Sequence, residues 1–286
     1  MKKIFLLSFL LFSLNFALAG HRHSYVLYNA KGKKADLHKI VKKTEDKQYV
    51  FFGEYHDNPI SHWLQFELTK EMYAMHKRHL VLGAEMFEAD NQFILDEYLE
   101  GLISPKNFQD EVRLWPNYST DYKPLIEFAK QNKLPFIATN VPRRYANMVY
   151  KKGFESLKDL SDLAKSYIVP LDQFEFDSTV TCYKDLLRGF AHGGINMATA
   201  QALKDATMAH FILKNSDSKS VFLHYNGAYH SDNYQGIVHY LKKNVDEDKI
   251  MTITTVSQEN VHELDEKNKG IADYIVCVSE TMTSTH

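Results

Sequence analysis

The chain has 286 residues, 34 of them basic and 36 acidic, for a formal net charge of −2. So balanced a charge gives no electrostatic basis for binding nucleic acid, which is not expected as a partner. The length suits one large domain or a domain with an insert, and two cysteines are too few for a disulfide-built scaffold.

At the N-terminus, Lys2 and Lys3 precede an apolar run from Ile4 to Phe16, and Ala17-Leu18-Ala19 follows. A charged start, a short apolar stretch and small residues at this spacing describe a secretory signal over residues 1–19. Export to the periplasm or to the outer membrane is expected. Leu18-Ala19-Gly20 also opens a lipoprotein box, but position 21 is His rather than the Cys that would carry the lipid.

Past the signal, Ser24–Tyr28 and Lys33–Leu37 flank a Lys-Gly turn and are expected to form a small hairpin, followed by a helix over about Leu37–Glu45. Six short apolar runs, rich in β-branched and aromatic residues, read as buried strands: Tyr49–Phe52, Leu80–Leu82, Pro135–Ala138, Ser220–His224, Met251–Val256 and Tyr274–Val278. Helical patterns lie between most of them. The fold class is therefore α/β, with a mostly parallel sheet covered by helices on both faces. Asn58 caps the first crossover helix, Pro59 takes its first position, and Leu64, Leu68, Met72 and Met75 form its apolar stripe. A second helix is expected over about Asn91–Glu100.

From Arg143 to about Asn215 no strand pattern appears. Helices are expected over Arg143–Lys152, Ser156–Lys165, Thr179–Phe190 and Ile195–Lys214, the last with Ile195, Ala198, Ala202, Ala206, Ala209 and Ile212 on one face. This stretch is too long for a simple crossover. It reads as a helical insert subdomain, 143–215, within an α/β domain formed by 20–142 and 216–286. Cys182 in a helix and Cys277 in a strand are expected as free buried thiols.

Ligands of open parallel sheets bind outside the C-terminal strand ends. Here those ends run into Gly53-Glu54-Tyr55-His56, then Gly83-Ala84-Glu85, then Thr139-Asn140-Val141-Pro142-Arg143, then Asn226-Gly227-Ala228-Tyr229-His230. His62 lies one turn into the first crossover helix. Glu54, His56, His62, Glu85, Asn226 and His230 are thus expected to form one polar cluster. Two carboxylates and two or three imidazoles suit a divalent metal or acid–base work. Each group taken alone is more simply a partner for a helix end. No metalloprotease, nucleophile-elbow, phosphate-loop or dinucleotide motif is present.

In order along the chain, Gly53-Glu54-x-His56-Asp57-Asn58, Glu85-Met86-Phe87, Asn140-Val141-Pro142-Arg143, Ala200–Ala209 and Asn226-Gly227-x-x-His230 resemble the ChaN family of iron-regulated bacterial haem-binding proteins. Tiki-type metalloproteases and erythromycin-esterase-like proteins are the wider relatives. The resemblance implies a haem-binding protein rather than an enzyme, with two haems face to face in a homodimer. It further implies a Tyr ligand from one protomer, a His from the other near the propionates, and attachment to the outer membrane by lipid. An outer-membrane haem receptor is expected as a partner. The alternative is a metal-dependent hydrolase using Glu54, His56, Glu85 and His230.

The family pattern does not locate the haem ligand, so it is inferred from chemistry. A phenolate suits ferric iron, and haem wants an apolar slot edged by basic groups. Tyr150 has Met148, Val149, Lys151 and Lys152 beside it and is the expected iron ligand, with Tyr145, Tyr183 and Tyr118 as alternatives. His192, in a glycine-rich turn, is expected to contact a propionate of the partner's haem. Tyr145, Lys151, Phe190 and Met197 are expected around the pocket.

Overall fold

The computed structural model describes residues 23–189 and 194–285. The signal segment, Phe190 and His192 lie outside the described residues. Seven strands form one sheet: β1 (Tyr25–Asn29), β2 (Tyr49–Glu54), β3 (Leu80–Glu88), β4 (Phe136–Asn140), β5 (Val221–Gly227), β6 (Ile250–Gln258) and β7 (Tyr274–Ser279). Their order is β1-β7-β6-β2-β5-β3-β4, and every pairing is parallel except β1 with β7. The mostly parallel α/β fold expected from alternating strand and helix patterns is the one observed.

Ten helices connect these strands among the described residues: α1 (Leu37–Lys42), α2 (Pro59–His76), α3 (Gln92–Leu99), α4 (Pro105–Glu111), α5 (Lys123–Asn132), α6 (Arg143–Lys152), α7 (Asp162–Lys165), α8 (Thr181–Gly189), α9 (Gly194–Lys214) and α10 (Ile237–Leu241). Strand periodicity divides the core into two layers. Val50, Phe52, Leu82, Leu223 and Ile253 point to one face and pack under α2 to α5, against Leu64, Leu68, Leu125 and Ile126. Tyr49, Phe51, Val81, Phe222 and Ile250 point to the other, against Val149 of α6, Leu203 and Ile212 of α9, and Val238 of α10. The helices of residues 143–215 thus share a core with the sheet itself.

Asn58 begins α2 as expected: its side chain accepts from the Ser61 amide, with Pro59 in the first turn. Two expectations differ from what the chain does. The N-terminal hairpin reduces to a single bridge between Tyr28 and Lys34, because β1 instead finds a full antiparallel partner in β7. The helix expected over Ser156–Lys165 is a 3-10 turn, Phe154–Asp159, and the short α7, which starts at a Ser161 cap. Both cysteines are free; Cys277 is buried, whereas Cys182 is only half-buried.

The topology singles out one place at the sheet's C-terminal edge. From β2 the chain passes through α2, on one face, toward β3; from β5 it passes through α10, on the opposite face, to β6. Connections leaving adjacent parallel strands in opposite directions open a crevice between them. The two Gly-x-x-His loops follow β2 and β5 and lie at this crevice.

Candidate functional site

The two loops interlock through their glycines. Glu54 pairs with Gly227 across β2 and β5. A Cβ on Gly53 would stand 2.9 Å from the Ala228 Cα, and one on Gly227 would stand 2.8 Å from the His56 ring. Both are closer than a methyl group tolerates, so each loop occupies space the other loop's glycine leaves free.

Around this junction the polar residues separate into two networks, one on each face of the sheet. On the face of α2, buried Glu54 accepts at Oε1 from His56 Nδ1 (2.9 Å) and from the Tyr122 hydroxyl (2.7 Å), and at Oε2 from Gln65 Nε2 (2.5 Å). His62 donates its Nε2 to the His56 carbonyl (3.0 Å), and Asn117 donates to the same oxygen (2.8 Å). Burial and the neighbouring carboxylate raise the Tyr122 phenol far above its ordinary range, so it stays a donor. For His56, burial pulls the pKa down, but the Glu54 hydrogen bond and the charges of Glu85 and Glu54 outweigh it and raise it.

On the face of α9, Glu85 accepts from the Gly227 amide (2.8 Å), and its Oε1 lies 3.1 Å from His230 Nε2. The other ring nitrogen, His230 Nδ1, donates to Asp205 Oδ1, and Asp205 Oδ2 accepts from the Tyr183 hydroxyl (2.7 Å). Burial would lower the His230 pKa; the Glu85 and Asp205 carboxylates on its two sides override that and push it up to about 10. Burial likewise opposes ionisation of Glu85, but His230 and His56 hold its carboxyl well below the usual range. Asn226 is spent on the scaffold. It accepts from His224 Nδ1 and donates to Gly227 O and Ser231 Oγ.

The two networks meet at a cavity of about 320 Å³ lined by Glu85, His230, His56, Trp115, Arg143 and Lys204. The expected convergence of Glu54, His56, Glu85 and His230 on one edge is therefore observed, with His62 behind them and Asn226 beneath. Their donors and acceptors are largely used within the cluster. Among the described residues, no group of three or more His, Cys, Asp or Glu side chains is arranged to hold a metal ion.

A second depression adjoins the first. It is an open groove of about 360 Å³ between α6 and α9, lined by Tyr150, Ala146, Met197 and Ala200, with Arg143 and Lys204 shared between groove and cavity. Arg143, Ala146, Asn147 and Tyr150 are spaced i, i+3, i+4, i+7, which places them on one face of α6. Tyr150 is 42% exposed. Of the other residues expected around it, Met197 lines the groove. Tyr145 is buried under α6 with its hydroxyl accepting from Arg144, and Lys151 is exposed; neither lines the groove.

The residue order and this double depression sit on a chain whose residues 40–241 match the haem-binding uptake family of the Tiki superfamily, ChaN. The chain belongs to that family. Its fold is similar to that of a solved structure of cofacial haem binding to ChaN of Campylobacter jejuni, with a TM-score of 0.62 and 16% identity over 88% of this chain and 96% of that one. A mutant of the erythromycin esterase EreC in its open conformation gives a TM-score of 0.49 and 12% identity, over 92% of this chain and 83% of that one. No curated protein matches the sequence.

Within the ChaN frame, the residues that sequence reasoning missed are those held in place by tertiary contact. Tyr122 comes from a π-helical turn, Tyr118–Tyr122, in a segment with no periodic pattern. Asp205 and Lys204 lie in the Ala200–Ala209 motif, where small apolar residues dominate. The available signal was the Lys-Asp pair interrupting that run. Arg143 was visible in the Asn140–Arg143 motif but carried no assigned role.

Proposed function

We propose that this chain is a haem-binding protein of bacterial iron uptake, holding haem in the groove between α6 and α9 with Tyr150 as the ligand to ferric iron. One observation carries the reading. Tyr150 stands exposed on the rim of an apolar groove lined by Ala146, Met197 and Ala200, where a flat macrocycle can lie against small side chains. A phenolate is a hard oxygen donor suited to ferric iron, which when bound would supply the positive centre that such a ligand needs. The solved ChaN of Campylobacter jejuni, described as binding haem cofacially, supports the same reading by fold.

The groove is open on one side. A second protomer covering it, with the two haems face to face, would remove the exposed haem face from water. In that arrangement His192 reaches a propionate of the partner's haem. The protein is exported by its residue 1–19 signal and works in the periplasm or at the outer membrane, beside a haem receptor and without a lipid at His21.

Haem titration followed by absorption spectroscopy tests the ligand. Wild type is expected to give a ferric, tyrosine-ligated spectrum, and Tyr150→Phe to lose it. An unchanged spectrum in Tyr150→Phe would remove Tyr150 from the role. Sedimentation with haem present tests the assembly, and a monomer at haem saturation would exclude the cofacial pair.

A further inference from the structure

A further depression on α9 lies away from the groove. Ala206, Ala209, His210, Leu213 and Lys214 follow one another at i, i+3, i+4, i+7 and i+8, which makes one stripe of the helix. Ala206 comes two residues after Lys204, a rotation of roughly 200° about the axis, so this stripe is turned from the face that lines the groove. Tyr240 of α10 and Val169, from the segment between α7 and α8, close its sides and leave an open slot of about 530 Å³. That volume is in the range of small-molecule sites.

Floor and rim differ in character. Val169, Ala206, Ala209 and Tyr240 are buried and Leu213 is partly so, which gives an apolar floor. The rim carries His210, Lys214 and Lys243, and among the described residues no lining side chain is acidic. His210 and Lys214 have neither a carboxylate nor a hydrogen-bond partner among the described residues. The imidazole meets the Phe211 ring edge-on, and the ammonium lies over the same ring, 5.6 Å from its centroid. Lys243 reaches Glu175 at 3.1 Å, but both ends of that pair are exposed, so it holds the ammonium only weakly. Burial and the adjacent Lys214 charge lower the His210 pKa, so at neutral pH the ring is uncharged and the Lys214 charge stands unanswered.

We infer that this slot binds a single-chain amphiphile, its apolar chain lying along Ala206, Ala209 and Leu213 and its carboxylate head meeting Lys214 and Lys243. The stripe from Ala206 to Leu213 spans roughly 10 Å at ~1.5 Å per residue, room for a chain of medium length. The two alanines have no side chain beyond Cβ, so a chain can lie directly against the helix. Topology sets the direction of the ligand. α9 leads to the start of β5, and the segment after α10 leads to the start of β6, so Lys214 and Lys243 both lie toward the N-terminal edge of the sheet. The apolar floor therefore ends in positive charge at one end, where an ammonium pair recognises a carboxylate as point charges. Nothing in this inference rests on the haem reading.

The experiment titrates octanoate, below its micellar concentration, into the protein by calorimetry, alongside octanol, which has the same chain and an uncharged head. Wild type is expected to bind octanoate about tenfold or more tightly than octanol, the scale of one charge-assisted hydrogen bond. The double variant K214Q/K243Q is expected to bind the two probes about equally. Both lysines are exposed, and the melting temperature of the variant separates loss of preference from loss of fold. Proton NMR locates the ligand. Bound octanoate is expected to raise the pH at which the His210 ring takes up a proton, octanol to leave it unchanged, and His210→Gln identifies the resonance. Equal affinity of wild type for both probes, or an undiminished preference in K214Q/K243Q, would overturn the inference. So would octanoate binding that leaves the His210 titration unmoved, or no binding of either probe.

Discussion

Replacing Asp205 by Asn removes one of the two carboxylates that keep His230 charged while preserving the shape of the side chain. In the native chain His230 is raised from 6.5 to about 10, with Glu85 and Asp205 on its two nitrogens. The folded state therefore holds a proton that the unfolded chain releases near pH 6.5. The stabilisation from this group is complete below pH 6.5 and is lost as pH rises through 10. A shift of roughly 3.5 units at 1.36 kcal/mol each gives an upper bound of about 5 kcal/mol, and a buried coupled cluster realises a few kcal/mol of it. Urea unfolding at several pH values between about 7 and 9 should show wild type losing on the order of 1 kcal/mol per pH unit from this source. Asp205→Asn should be less stable by roughly 2–4 kcal/mol at pH 7, and its stability should fall less steeply with pH, because the His230 proton leaves earlier. Parallel stability-versus-pH lines for the two proteins would refute the argument that Asp205 holds the imidazolium.

Two further substitutions test the junction from its other sides. Gly227→Ala places a methyl group 2.8 Å from the His56 ring, and a shift of that ring breaks its bond to Glu54. A loss of about 1–3 kcal/mol, read as a lower melting temperature, is expected; an unchanged value would mean that the loops are not in close contact. Tyr122→Phe deletes a donor to the buried Glu54 and should cost about 1–3 kcal/mol in urea unfolding, whereas a neutral result would place Glu54 in contact with water.

Much of this architecture was legible because strands buried on both faces must be apolar along their whole length. Tyr49–Phe52 and Ser220–His224 announce β2 and β5 in that way, and the polar residues after them could be placed at one edge by topology alone. The length of β3 was not legible. It continues to Glu88, through residues that look like loop because Glu85 and Glu88 are charged. Their burial depends on His230 and Arg113, which are remote in sequence. Asp205 was hidden for the same reason. Nothing in an alanine-rich helix says that one acidic side chain will be buried beneath an imidazolium from another loop. The joining of groove and cavity at Arg143 and Lys204 depends on how α6 lies beside α9, a relation no local pattern encodes.

The reciprocal fit of Gly53 against Ala228 and of Gly227 against His56 bears on how this scaffold can change. Each loop acts as the mould of the other, so neither can be exchanged alone. A loop taken from a relative would meet a counterpart cut to a different shape, even if every polar residue were retained. Among the described residues, Tyr150 and Met197, exposed and partly exposed at the groove, are not moulded against a glycine in this way. Pocket shape can therefore drift residue by residue while the crevice floor moves only in matched pairs, which makes the pair of loops the natural unit for transplantation.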